Sequence, residues 1–169
     1  MELVNDIDAY LYPVGRLDVD TSGLLIMTND GDFAQLLTHP SHEIEKTYVA
    51  LVRGKIRAST LSAMERGLEL EDGMTAPAKV RLLSYSQGIN ASTVEIIIHE
   101  GKKRQVRRMF AVVGHKIDKL ARTRLGELDL KGIAEGRYRS LTRKEIIQLT
   151  RLAAPKKQER RPRRNLGER

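Results

Sequence analysis

Gly15-Arg16-Leu17-Asp18-Val19-Asp20-Thr21-Ser22-Gly23-Leu24-Leu25 sets an Arg, two carboxylates, a hydroxyl pair and two glycines directly ahead of an apolar run. Leu24-Leu25-Ile26-Met27-Thr28 reads as a buried strand closed by the turn Asn29-Asp30-Gly31. A polar loop fixed to a rigid strand is a common way to hold a reactive side chain. A lone Arg-Leu-Asp, however, is better explained by a loop in which Asp18 caps a backbone N–H and Arg16 pairs with it in solvent.

Outward from this loop, apolar periods of two and of 3.6 alternate. Residues 2–11 read as the end of a helix, and Asp32 to Leu37 as a short helix capped by Asp30 or Asp32. Thr47 to Val52 reads as a strand, and Ser59 to Arg66 as a helix stopped by Gly67. Residues 78–85 and 92–99 form an antiparallel pair across Ser86 to Asn90, because Thr93-Val94-Glu95-Ile96-Ile97-Ile98 is rich in β-branched residues. Gln105 to Val113 reads as a helix stopped by Gly114. Thr142 to Leu152 reads as an amphipathic helix opened by a Thr142/Glu145 capping box. The order predicts an α+β fold, a mostly antiparallel mixed sheet with flanking helices.

The chain has 169 residues, enough for one domain with a real core, and no Cys, which excludes disulfides and thiolate metal sites. No apolar run approaches the roughly 20 residues of a membrane span, and the N-terminus lacks a signal-peptide layout, so a cytoplasmic protein without a membrane partner is expected. The net charge of +8 points to a polyanionic partner. More than half of it lies after Pro155, where residues 156–169 hold seven Lys/Arg against two Glu. Residues 155–169 are therefore expected to be a disordered basic tail, either solubilising or contacting RNA, and residues 1–154 the folded core.

The eleven-residue string resembles the signature of the RsuA/RluB family of ribosomal RNA pseudouridine synthases. Three more blocks resemble that family in the same order: Leu37 to Tyr48, Glu100 to Met109, and Arg122-Thr123-Arg124-Leu125-Gly126 with Gly132, Gly136 and Arg137. Four ordered blocks spanning about positions 10 to 150 are far more specific than any single motif. The resemblance implies the pseudouridine synthase catalytic fold and isomerisation of one uridine in ribosomal RNA by base flipping. No cofactor is implied, because the C1′–N1 bond is broken and the base rejoined through C5 without an external reagent.

By the same resemblance Asp18 is the catalytic carboxylate, Arg107 its ion-pair partner, and Tyr48 the aromatic residue that stacks on the base and assists proton transfer at C5. Arg107 would keep Asp18 ionised where desolvation alone would neutralise it. Arg16 is expected to fill the gap left by the extruded base or to grip the adjacent phosphate. The run Lys102-Lys103-Arg104 with Arg107-Arg108 sits at a helix start, where positive charge opposes the macrodipole. Helix stability therefore does not explain it, whereas phosphate binding does, so Lys102, Lys103, Arg104 and Arg108 are expected to contact RNA.

His39 and His42 have the spacing of a metal pair, but no third ligand clusters with them and no metal is expected. Nor is there a Gly-rich phosphate loop of an NTPase. Members of the resembled family usually begin with a small S4-type RNA-binding domain and a Lys-Pro-x-Gly strand. The chain is thus expected to be a core truncated at its N-terminus, with an unpaired sheet edge open to self-association. Lys103 to Arg108, without a His before Gln105, leans toward the RluB branch and large-subunit 23S RNA. Two other readings compete: a noncatalytic RNA-binding or ribosome-assembly module that keeps the fold, and a DNA-binding protein supported by charge alone.

Overall fold

The computed structural model describes Val4 and residues 6–153. The expected basic tail at 155–169 lies outside the described residues. In chain order the elements are β1 (Tyr12–Val14), β2 (Ser22–Gly23), β3 (Ile26–Thr28), α1 (Gly31–Thr38), β4 (Lys46–Arg53), α2 (Ala58–Arg66), β5 (Glu69–Leu70), β6 (Gly73–Met74), β7 (Lys79–Ser86), β8 (Ala91–Ile98), α3 (Gln105–Val112), β9 (Ile117–Leu125), β10 (Leu128–Asp129) and α4 (Arg143–Ala153).

The main sheet runs β10-β9-β4-β8-β7, every neighbour antiparallel, and β2 adds a short parallel pairing on β9. The α+β reading with a mostly antiparallel mixed sheet therefore holds. Alternation along β4 and β8 buries Ala50, Val52, Val94 and Ile96 against Met64 of α2 and Met109 and Phe110 of α3. A second core joins Val14, Leu24, Ile26, Leu37, Leu125 and Leu149. At the β7 edge Lys79 pairs with Glu45 and Arg81 with Glu95, and a register shift falls between Leu82 and Ser84. Charges and bulges at an edge hinder strand addition.

Two expectations need correction. Residues 6–9 are turns and bends and residues 10–11 are irregular, rather than a helix end, with Ile7 N donating to Val4 O and Ala9 N to Ile7 O. Asp6 and Asp8 favour turns, and Pro13 in β1 denies a helix its continuation. The strand expected over 24–28 is confined to Ile26–Thr28 and pairs with β1 outside the main sheet, because the backbone at residues 22–24 is taken up by β9.

The helix caps follow the expected chemistry. Asp30 accepts from Phe33 N at 3.0 Å at the start of α1. At α4, Glu145 N donates to Thr142 Oγ1 at 3.2 Å while Thr142 N donates to Glu145 Oε2 at 2.8 Å, the reciprocal capping box. Arg139 binds the same carboxylate through both Nη atoms, at 2.6 and 2.8 Å. Arg139 first and the Thr142 N–H second hold Glu145 down from 4.5 to about 2. A depressed carboxyl pKa stabilises the fold above the unfolded value and loses that effect as pH falls through the folded one. Glu145→Gln is therefore expected to lower Tm at pH 7, by about 2–4 °C for each kcal/mol lost. In parallel melts its difference from the parent should shrink between pH 4.5 and 2; a gap that persists at pH 2 would contradict the charge-based cap.

Candidate active site

The loop from Gly15 to Leu25 is locked at its C-terminal end. Ser22 and Gly23 run parallel to Ala121 and Arg122 of β9, and Leu24 N donates to Arg122 O at 2.8 Å. The Arg122 side chain completes the clasp: Nε and Nη2 donate to Leu24 O at 2.9 and 2.7 Å, and the residue is only 4% exposed. The approach is so close that a Cβ built on Gly23 would lie 2.2 Å from Arg122 O, and Gly23 has φ +108°. Gly23 is thus required by both space and conformation.

At the front of the loop Thr21 N donates to Asp18 O at 2.9 Å, which tightens residues 18–21 into a turn. Asp18 is half-buried, and its carboxylate makes no hydrogen bond or ion pair among the described residues. The expected Arg107–Asp18 ion pair is replaced by one to Asp20. Arg104 Nη1 and Nη2 donate to the two Asp20 carboxylate oxygens at 2.8 Å each. Arg107 Nε lies 3.1 Å from Asp20 Oδ2, poorly aligned for a hydrogen bond, while Nη2 donates to Asp20 O at 2.5 Å and Nη1 to Ile117 O at 3.3 Å.

The reason lies in helix geometry. Arg104, in the left-handed region at φ +51°, precedes α3, so Arg104 and Arg107 stand one turn apart and converge on one carboxylate. The Arg104 hydrogen bonds hold the Asp20 carboxyl below its usual range, against desolvation and with help from the Arg107 charge. Arg104 also feels the charge of Asp18.

Tyr48 sits on the central strand β4, opposite Ile96 on one side and Arg122 on the other, half-buried against the first core. Its cross-strand neighbour is therefore the arginine that clasps the loop. Two residues earlier, Lys46 Nζ donates to Ile44 O at 3.1 Å and His99 O at 3.5 Å. Burial first, then the charge of Arg122, push that ammonium below its ordinary range.

The basic run divides. Lys102 Nζ donates to Gly73 O at 3.0 Å and Met74 O at 2.9 Å, and Arg108 binds Asp72 through two bonds of 2.8 and 3.0 Å. These two brace the β5–β6 hairpin rather than stand free for phosphate. Lys103 and Arg16 are exposed and make no side-chain hydrogen bond or ion pair among the described residues. Beyond Asp20, Arg104 and Arg107, an open cleft of about 620 Å³ continues past Arg53, His115 and Lys116. Its size suits a nucleotide-scale ligand; along its lining Arg104 and Arg107 pair with Asp20 and Arg53 with Asp118, and Lys116 makes no ion pair among the described residues.

A family model described as RNA pseudouridylate synthase matches residues 5–112. The chain belongs to that family. A ribosomal large subunit pseudouridine synthase B of Bacillus subtilis (strain 168) is 49% identical over 152 residues, 90% of this chain and 62% of that protein. A ribosomal small subunit pseudouridine synthase A of Vibrio cholerae is 41% identical over 142 residues, 82% of this chain and 59% of that one. Among solved structures, one described as a pseudouridylate synthase superposes with TM-score 0.76 at 37% identity, covering 82% of this chain and 59% of the other. The chain thus spans about 60% of the length of these relatives.

Within this pseudouridylate synthase fold, sequence reasoning missed Asp20, Lys46 and Arg53. Asp20 and Lys46 stand inside the quoted blocks, but nothing in their spacing says which way they face. Among the described residues no group of three or more His, Cys, Asp or Glu could hold a metal ion. His39 and His42 serve local structure instead: His39 Nδ1 meets Ser41 Oγ at 2.6 Å and His42 Nδ1 meets Leu36 O at 2.7 Å.

Proposed function

We propose that this chain isomerises a uridine of ribosomal RNA to pseudouridine, with Asp18 as the reacting carboxylate and large-subunit 23S RNA as substrate. The observation that carries this reading is the Asp18 loop itself. It is clasped to β9 by Gly23 and Arg122, and it carries a half-buried carboxylate with free oxygens beside the Arg104–Arg107 pair. A rigid loop costs little reorganisation when the substrate arrives, and fixed cations near a reacting carboxylate stabilise charge as it moves.

In the proposed reaction the C1′–N1 bond of a flipped uridine breaks and leaves its electron pair on N1, the base turns, C5 bonds to C1′ and then loses its proton, and N1 takes one up. Atoms balance without a co-reactant. Asp18 supplies the lone pair that opens the sequence. Tyr48 offers a stacking face to the unstacked base, worth about 1–3 kcal/mol per aromatic contact, and a hydroxyl for the C5 proton. Arg16, exposed at the mouth of the loop, and Lys103 are available to the phosphates of the flanking strand, and Lys116 adds a further cation in the cleft. The 49% identity to a large-subunit enzyme supports 23S RNA as the substrate class.

The test is release of tritium from C5-labelled uridine when the chain is incubated separately with 23S and 16S RNA. Release from 23S RNA is expected. Release from 16S RNA alone would overturn the substrate, and binding without release from either would favour a noncatalytic RNA-binding module.

A further inference from the structure

We infer that Val19 is an apolar wedge: its side chain packs on the base face that is uncovered when the target uridine leaves its stack. This rests on the reading of Asp18 as the reacting carboxylate. Val19 is wholly exposed, the most exposed of the large apolar side chains among the described residues. Neither packing nor the turn accounts for it. Val19 joins neither core, whereas Leu17 of the same loop is half-buried, and the second position of a tight turn favours Pro and accepts most residues without requiring a β-branched one. A single exposed apolar residue is ordinary on a surface; this one stands between two carboxylates at the tip of an anchored loop.

The turn that carries Val19 is held from both ends. Thr21 N donates to Asp18 O at 2.9 Å, so Val19 and Asp20 form its tip. Asp20 is bound by Arg104 through two bonds of 2.8 Å, and Arg107 Nη2 donates to its carbonyl at 2.5 Å. Beyond Thr21, Ser22 and Gly23 pair with β9. The side chain itself has a single torsion, restricted by its branched Cβ, so it loses little freedom when it is covered. Arg16, exposed on the same loop, ends in a charge that suits phosphate. Val19 has no polar atom, so it offers nothing to a phosphate and an apolar surface to a base.

Extruding a uridine uncovers the face of the base beside it, a cost that apolar side chains placed at a base step offset in nucleic-acid complexes. Successive Cα atoms are about 3.8 Å apart, close to the spacing of stacked bases. A strand whose uridine is seated on Asp18 therefore brings the adjoining base within reach of Val19, and the contact removes apolar surface of both from water. Val19→Ala deletes two methyl groups from that contact and is expected to lower kcat/KM on the order of 10-fold. Val19→Thr keeps the branched shape but sets a hydroxyl where a methyl packed, so it should lose a similar factor. Val19→Ile keeps the apolar face and should keep most of the rate. None of the three should move Tm, because the side chain touches neither core.

The experiment measures kcat/KM and Tm for the parent chain, Val19→Ala, Val19→Thr, Val19→Ile and Asp18→Asn. The RNAs are 23S fragments carrying the C5-labelled uridine that this chain modifies, either intact or with an abasic nucleotide as its 5′ or its 3′ neighbour. One abasic RNA is expected to slow the parent to the rate of Val19→Ala and to leave no difference between them, because the partner face is gone from both arms of the cycle. A difference that persists in both abasic RNAs overturns the inference. So does Val19→Ala or Val19→Thr at the parental rate on the intact fragment, or a Val19→Ala whose Tm falls together with its rate. An inactive Asp18→Asn beside a parental Val19→Ala would remove the wedge alone. An active Asp18→Asn, or a parent without turnover, would remove the reading of Asp18 and this inference with it.

Discussion

Asp18→Asn is expected to reduce single-turnover pseudouridine formation by a factor on the order of 10⁴ or more, the scale seen when the group that opens a reaction is deleted. RNA affinity should change by less than about threefold, since phosphates rather than the reacting carboxylate dominate binding. The fold should not be touched. Asp18 makes no side-chain hydrogen bond or ion pair among the described residues, and amide and carboxylate are nearly isosteric. Stability and activity therefore separate at this position. Melting curves, RNA binding and single-turnover rates on one preparation check the three claims together. Activity within tenfold of the parent would exclude Asp18 as the reacting group.

Gly23→Ala is expected to act through stability instead. Its new Cβ would meet Arg122 O at 2.2 Å, Arg122 N at 2.7 Å and Arg122 C at 2.9 Å, all of them backbone that cannot swing aside, at a φ of +108°. Relief requires residues 22–24 to lift from β9. That movement breaks the Leu24 N to Arg122 O bond and strips the Arg122 guanidinium of its carbonyl, leaving a buried cation without a partner. Stranding a buried charge costs about 3–5 kcal/mol, a large share of the 5–15 kcal/mol typical of a whole domain. A fall in Tm of roughly 6–20 °C is expected at this chain length, with loss of activity. Gly88→Ala is the control, since a Cβ there meets nothing within 4 Å and its φ is ordinary. If Gly23→Ala melts with Gly88→Ala, the loop is not clasped to β9 as described.

Much of this fold was legible because long elements carry their own periodicity. Thr47 to Val52 and Thr93 to Ile98 are rich in β-branched and aromatic residues, and Asp30, Thr142 and Glu145 cap helices with the expected partners. Strands of two or three residues show no period at all. Nothing in Ser22-Gly23 or Leu128-Asp129 announces a strand, because their pairing is set by β9 rather than by their own residues. Pro13 argues against a strand locally, yet β1 forms as half of an isolated two-stranded ribbon where a missing N–H is tolerated.

The fold brings the four blocks together, but charge spacing could not say which carboxylate each cation would meet. Adjacent residues diverge by about 100° around a helix, so Arg107 turns to Asp20 and Arg108 to Asp72, although the sequence presents them as one basic patch. Lys102 shows the same limit: a cation in a basic run reads as a phosphate ligand until the three-dimensional fold supplies carbonyls within its reach. Which of Asp18 and Asp20 faces α3 depends on one turn and on one left-handed residue, Arg104, and neither leaves a mark in composition or period.

The central claim, that this chain makes pseudouridine in large-subunit RNA through Asp18, is tested most directly in cells. Pseudouridines are mapped across both ribosomal RNAs in a strain lacking the gene that encodes this chain, and in the same strain carrying either the parent gene or its Asp18→Asn form. The account predicts one 23S position that is uridine in the deletion strain, pseudouridine with the parent gene, and uridine again with Asp18→Asn. An identical pseudouridine map in all strains, or restoration by the Asp18→Asn gene, would contradict it.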